Sequence, residues 1–380
     1  MNSKKYNNTK LLINIAKGIS SFLLLYYFVS SGLSLQLKHF ISLYLRNNYL
    51  ILIAFVLVTG LAGGVIFAPI NFYTDYLLEH KYKLSNQTIA QWLFEGLKEV
   101  LVSIGIGIPI LLLFYYSLFK FGHNWWLPFA IALFVISILL AKVLPILILP
   151  IFYKISPLQN EDLSIRIKNL ASNAGVKIEN VFKFDMSKNT KKANAAFTGL
   201  GKSKRILLGD TLLSEYSHDE IETVIAHELG HYKHKHILKN ILIGTLSSFL
   251  TLFLVSVLYS VSLSWFHFNE ITDISALPLL VLWMILIGLI QAPITNIISR
   301  RFEYQADKFA ISSTRKTESF ISTLEKLTEQ NLGDKNPHPF VEWFFYSHPS
   351  INKRISAIKE FELSLIENDS IAGKLKYQRS

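Results

Sequence analysis

His227, Glu228 and His231 form the pattern H-E-x-x-H within His227-Glu228-Leu229-Gly230-His231. On a helix, positions i and i+4 share a face, so both imidazoles can bind one Zn²⁺. The glutamate between them can then reach a water on that ion and act as general base. With 11 His in 380 residues, about 0.01–0.02 copies of the pattern are expected by chance. Its surroundings are those of a helix. Ser217-His218-Asp219-Glu220 has the form of a capping box, and Ile221, Val224 and Ile225 supply an apolar stripe at helical spacing. A helix is predicted from about 218 to 236, running on toward the next apolar stretch. The plain alternative is a helix whose two histidines are solvated or packed in a core.

Two histidines do not complete a catalytic zinc site, which uses three protein ligands and keeps a fourth position for water. His234 lies on roughly the same face as His227 but about two turns, or ~10 Å, along the axis. The extension H-E-x-x-H-x-x-G-x-x-H is absent, because position 234 is His rather than Gly and no His follows three residues later. His234 and His236 are expected at the surface or behind the ligands. Glu303 is the better third ligand. It stands in Arg301-Phe302-Glu303-Tyr304-Gln305-Ala306-Asp307, where Glu303 and Asp307 share a helical face. Glu303 would bind the metal, and Asp307 would accept a hydrogen bond from a ligand histidine and fix its tautomer.

These residues need a membrane protein to position them. The chain is 51% hydrophobic and 17% charged, with mean hydropathy +0.34, which is too apolar for an ordinary soluble domain. Six stretches are long enough to cross ~30 Å of hydrocarbon, near 11–33, 50–72, 99–119, 125–150, 240–265 and 276–299. The chain divides accordingly into spans one to four (1–152), a soluble block (153–239), spans five and six (240–299) and a second soluble block (300–380). The first apolar stretch lacks a small-residue cleavage site and is expected to be retained. Lys4, Lys5, Lys10, Lys81, Lys83, Lys98, Arg300, Arg301 and Lys308 fall on one side of this arrangement, and Asn269–Asp273 on the other carries only acids. The positive-inside rule places both soluble blocks in the cytoplasm and accounts for the net charge of +11 without nucleic acid. No cysteine is present, so neither a disulfide nor a thiolate contributes. Lys142, Gln291 and Asn296 are polar groups within spans, where such groups line a water-filled interior, snorkel or act directly.

The first soluble block has an α+β pattern. Glu161–Ser172 reads as a helix stopped by Gly175, and Val181–Asp185 and Arg205–Leu208 read as short strands. Asn194-Ala195-Ala196-Phe197-Thr198-Gly199 lies between the strands. No linker separates the H-E-x-x-H helix from span five, so one integrated unit is expected.

The combination resembles the zinc-dependent CAAX prenyl endopeptidases, the Ste-type integral membrane metalloproteases, including their bacterial relatives. The matching pieces are His227–His231 with His236, Arg301–Asp307, Asn194–Gly199, Lys204–Leu213, and Ser347-His348-Pro349-Ser350 followed by Arg354. The resemblance covers roughly residues 50–362. It implies a mainly helical membrane fold enclosing a chamber, with a small α+β zinc-protease region and one zinc ion per chain. It implies that Asn194, Ala195 and Ala196 pair with substrate backbone by strand addition. It also implies that His348 stabilises the oxyanion and that Arg354 supports it at the substrate site. The expected partners are a peptide or protein substrate, in the sharpest form prenylated, and the lipid bilayer. The expected location is a bacterial cytoplasmic or ER membrane with the site facing the cytoplasm. The larger eukaryotic members have seven spans rather than six, and no K-D-E-L-like retrieval signal ends this chain, which points to a compact version. Two rivals are a quality-control protease of the HtpX type and a non-proteolytic transporter or scaffold with an incidental histidine cluster.

Overall fold

The computed structural model describes residues 3–176, 178, 180–198 and 205–377. Gly199, Lys204 and the last three residues, which the motifs and termini above include, lie outside the described residues.

Six helices are long and apolar enough to cross a membrane. The first is α1, Ser3–Ser30, followed after the left-handed Gly32 by a short helix not expected from the sequence, α2, Leu33–Ser42. The second is α3, Asn48–Asn71, which runs through a π turn at Phe72–Leu77 into α4, Leu78–Lys81. Pro69 stands just before that turn and has no N–H to donate, so the helical ladder loosens there. The third, α5, Ile89–Phe121, starts at a capping box between Thr88 and Gln91. The fourth joins α6, Trp126–Val143, through a second π turn that contains Pro145 to α7, Leu149–Phe152.

The sheet and its helices follow. Strand β1, Ile155–Pro157, and helix α8, Glu161–Asn173, precede β2, Asn180–Phe184, β3, Ala195–Thr198, and β4, Arg205–Gly209. The order is β1-β2-β4-β3, with β2 parallel to β4 and β3 antiparallel to β4 at the edge. Gly209 is required where β4 ends. Its N–H donates to the Asn194 carbonyl at 2.9 Å, and a Cβ there would stand 2.9 Å from that same oxygen.

Helices α9, Asp210–Glu215, and α10, His218–Lys233, lead to α11, His236–Trp265, the fifth span. The expected continuous helix through 236 is interrupted. His234 caps α10, and Lys235 turns left-handed at φ 57° before α11 begins. The sixth span, α12, Pro278–Thr314, has 37 residues, about 55 Å of helix. It runs unbroken past position 300, because hydropathy marks the hydrocarbon and not the helix end. Helices α13, Thr317–Gln330, α14, Pro339–Phe345, and α15, Ile351–Tyr377, complete the chain.

Two apolar cores hold this together. One lies beneath the sheet, where Leu163, Ile167, Ile206, Leu208, Ile221, Ile225, Leu229 and Phe320 pack. The other gathers the span ends farthest from the sheet around Leu52, Leu118, Trp125, Tyr259 and Leu280. Between them the spans bury little. No residue of α5 from 89 to 114 is buried. Only its last turns, at Ile110, Leu111, Leu113 and Phe114, pack against the second core, so the middle of this span buries little apolar surface.

Candidate active site

Helix α10 exists where it does because Ser217 and Glu220 form the reciprocal cap. The Ser217 hydroxyl accepts from the Glu220 N–H at 3.3 Å, and the Glu220 carboxylate accepts from the Ser217 N–H at 2.9 Å. Ile221, Ile225 and Leu229 bury one stripe in the sheet-side core, which turns His227 and His231 toward α12. Gly230 lets the two helices touch, since a Cβ there would stand 2.9 Å from the Ala306 Cα. Glu303 on α12 thereby comes opposite both histidines. Its Oε2 lies 3.5 Å from His227 Nε2, its Oε1 lies 3.4 Å from His231 Nε2, and the two Nε2 atoms are 3.1 Å apart.

The outer ring nitrogens fix where the protons are. His227 Nδ1 is 2.8 Å from Asp307 Oδ1, so it carries the proton and donates to that carboxylate. His236 Nε2 donates to Gln305 Oε1 at 2.8 Å, which leaves its Nδ1 as a lone pair facing His231 Nδ1 at 3.0 Å. His231 must then donate from Nδ1. Both Nε2 atoms present lone pairs to the same point as the Glu303 carboxylate. Glu303 Oε2 is buried without a hydrogen bond. Two imidazole Nε2 atoms and a carboxylate meeting at one point fit a cation that takes the place of the proton otherwise shared there, and each of the three residues offers a ligand atom within 4.8 Å of the others'. Burial alone would lower the pKa of His227, but Asp307 and Glu303 reverse this and raise it to about 9.

Residues 157–362 match the family described as Peptidase family M48. The chain belongs to it. Residues 1–154 match the family described as CAAX prenyl protease N-terminal, five membrane helices; four of this chain's spans lie in that range. A metalloprotease of Bacillus subtilis, YhfN, is 30% identical over 375 residues, covering 95% of this chain and 85% of its own length. The CAAX prenyl protease 1 of Saccharomyces cerevisiae is 31% identical over 308 residues, 76% of this chain and 68% of its own. The crystal structure of S. mikatae Ste24p superposes with a TM-score of 0.85 at 28% identity, covering 94% of this chain and 88% of that one. This M48 chain is a multi-pass membrane metalloendopeptidase, acting on peptide or protein substrates through a metal ion.

The remaining expected residues of the M48 site fall in three places. His348 follows α14, is 65% exposed, and brings Nδ1 to 2.9 Å from Glu303 Oε2 without hydrogen-bond alignment. Asn194 is exposed just before β3, and Ala195 and Ala196 lie on that edge strand, which runs beside α10 with Phe197 packed on Tyr232. Arg354 departs from its expected place at the substrate. It lies behind the histidines, 12% exposed, with Nε and Nη2 on Asp307 at 2.8 and 2.5 Å and Nη1 3.6 Å from Glu303. A guanidinium engaged by two carboxylates orients those groups and has little reach toward a peptide. Among the polar groups in spans, Gln291 bonds Thr251 across spans five and six, Asn296 bonds the Phe344 carbonyl, and Lys142 is exposed. No sequence pattern assigns a role to Gln305. It is two residues from Glu303, off the face shared with Asp307, and only the tertiary fold shows its contact with His236.

Proposed function

We propose that this peptidase holds one zinc ion between His227, His231 and Glu303. We further propose that it cleaves peptide chains at the cytoplasmic face of its membrane, with C-terminal CAAX-type prenylated peptides as the preferred substrate. The observation that carries the metal assignment is the convergence of three donor groups, with His227 held from behind by Asp307 and His231 by His236. When bound there, zinc would acidify an attacking water and polarise the scissile carbonyl. Glu228 stands between the two histidines on α10, takes the proton from that water and returns it to the leaving amine. The exposed ring of His348 donates to the carbonyl oxygen as it gains charge. The outer edge of β3 pairs with the substrate main chain, and Asn194 holds the entering segment.

The prenylated substrate rests on the likeness to CAAX prenyl protease 1 and Ste24p. The cytoplasmic orientation rests on the Lys and Arg distribution. We also keep the division of the chain at 152, 239 and 299 as a description of alternating membrane and cytoplasmic work. The test is incubation of purified protein with prenylated and unprenylated CAAX peptides, read by mass spectrometry. Cleavage confined to the prenylated peptide is the expected result. Equal cleavage of both, with turnover of unfolded membrane proteins, would favour quality control. Labelling of Ser214→Cys from the cytoplasmic side checks orientation, since the native chain has no cysteine.

A further inference from the structure

Four side chains on one face of α12 each meet the segment that carries His348. Asn296 Nδ2 donates to the Phe344 carbonyl at 2.7 Å. Arg300 Nη1 donates to the carbonyls of Glu342 at 3.0 Å, Trp343 at 3.4 Å and Tyr346 at 2.5 Å. Glu303 meets His348, and Asp307 meets Arg354. The spacing 296, 300, 303, 307 is that of a single helical stripe. The last turn of a helix leaves its final carbonyls without partners. In α14 the Glu342 carbonyl still accepts from the Tyr346 N–H at 3.2 Å, and those of Trp343 and Phe344 are satisfied by Arg300 and Asn296, side chains of another helix. The far end of the loop is also fastened. Glu342 Oε1 accepts from the Ser350 N–H at 3.0 Å, and Oε2 pairs with Lys353 at 2.7 Å. Glu342 itself is buried.

We infer that Arg300 is a positioning residue for His348, fixing residues 346–350 so that the imidazole stands at the reacting carbonyl. Only Ser347 lies between Tyr346 and His348, so a fixed carbonyl leaves the ring a small arc. Arg300 and Glu303 are three apart on the same helix, so the clamp and the metal ligand are referenced to one rigid rod. An ångström of misplacement at such a site is enough to slow the chemistry by about 10- to 100-fold. The inference rests on the proposed role of His348.

The experiment is a double-mutant cycle on the full-length protein, measuring kcat, KM and bound zinc. Arg300→Ala is expected to lower kcat by about 10- to 100-fold, with zinc content unchanged and KM within about twofold. His348→Ala should lower kcat at least as far. The double variant should be no slower than His348→Ala alone, because Arg300 acts only through that ring. Multiplicative losses in the double variant, or wild-type kcat in Arg300→Ala, would overturn the inference. Loss of zinc in Arg300→Ala would overturn it too, by showing a role in holding the ligands. If Arg300→Ala does not yield folded protein, Arg300→Lys runs the same cycle. Its ammonium reaches fewer carbonyls than the guanidinium, so an intermediate kcat is expected, and wild-type kcat would count against the clamp. Unchanged turnover in His348→Ala would instead defeat the role of His348, a result distinct from failure of the Arg300 clamp alone.

Discussion

Gly230 and Ala306 are in backbone contact: a single methyl group on Gly230 would sit 2.9 Å from the Ala306 Cα and 3.1 Å from its carbonyl oxygen. That contact sets the distance between the helix bearing both histidines and the helix bearing Glu303. Gly230→Ala is therefore expected to separate α10 from α12, at a cost of about 1–3 kcal/mol in stability, and to weaken zinc binding by at least about tenfold. Thermal unfolding and metal competition measure the two effects. Native affinity in this variant would show that the helices have room to spare.

Glu228 and Glu303 should separate cleanly. Glu228→Gln is expected to keep its zinc while turnover falls by about 10²–10⁴-fold. Glu303→Ala is expected to lose the ion, because two imidazoles remain where three donors converged. Elemental analysis of the purified variants decides it, and full occupancy in Glu303→Ala would exclude that residue as a ligand.

Asp307 serves two partners, His227 Nδ1 and the Arg354 guanidinium. Asp307→Asn should weaken zinc affinity or turnover by about 10–100-fold. It should also lower the unfolding temperature, since a buried guanidinium loses its bidentate carboxylate. Unchanged stability and metal content would reduce the pair to an incidental contact.

Much of this site was legible in the sequence. H-E-x-x-H, its capping box and the Glu303–Asp307 spacing are local patterns whose periodicity matches the helix that carries them, so their geometry followed from 3.6 residues per turn. Edge strand β3 was expected from the family resemblance alone, since locally Asn194 is only a polar residue before a short apolar run. The interruption at Lys235 was not, because nothing in the His234-Lys235-His236 run breaks a helix by propensity. Strand β1 has three residues and exists through its pairing with β2, which no local pattern encodes. The supports behind the ligands, Gln305 to His236 and Arg300 to the α14 carbonyls, join residues 69 and 42–46 positions apart. Their residue types are ordinary for a polar stretch just past a span, and only the tertiary fold gives them partners.

The pH dependence of metal uptake follows from His227. Burial favours its neutral form, but Asp307 and Glu303 outweigh that and raise its pKa from 6.5 to about 9 in the metal-free site. Zinc must displace that proton, so uptake at pH 7 should release about one proton per ion from this ring. Affinity should weaken about tenfold for each pH unit below 9. The sign for stability is opposite. A raised pKa means that the metal-free fold gains from the charged ring below pH 6.5 and loses this as pH rises through about 9. Calorimetry in buffers of different ionisation enthalpy reads the proton. A stripped protein whose unfolding temperature is flat from pH 6 to 9.5 would contradict the assignment.

Ala196 pairs with Leu207 on the inner side of β3, so a proline there disturbs the edge strand to which substrate pairing is assigned by our proposal. Ala196→Pro should slow cleavage of unrelated peptides to a similar degree while zinc stays bound, because proline removes a main-chain donor and restricts φ. Wild-type turnover would remove strand addition from the mechanism.

The left-handed Lys235 separates α10 from span five, whereas α12 passes from the membrane to Glu303 and Asp307 as one helix, with Pro293 inside it. The two halves of the metal centre are thus coupled to the bilayer with different stiffness. A change in tilt of α11 can be taken up by rotation at one residue before it reaches His231. A change in tilt of α12 reaches Glu303 along a continuous helix, softened only at Pro293. Span six is thus the stiffer connection between bilayer thickness and the proposed ligand Glu303, and lipids of different chain length should alter turnover through that helix.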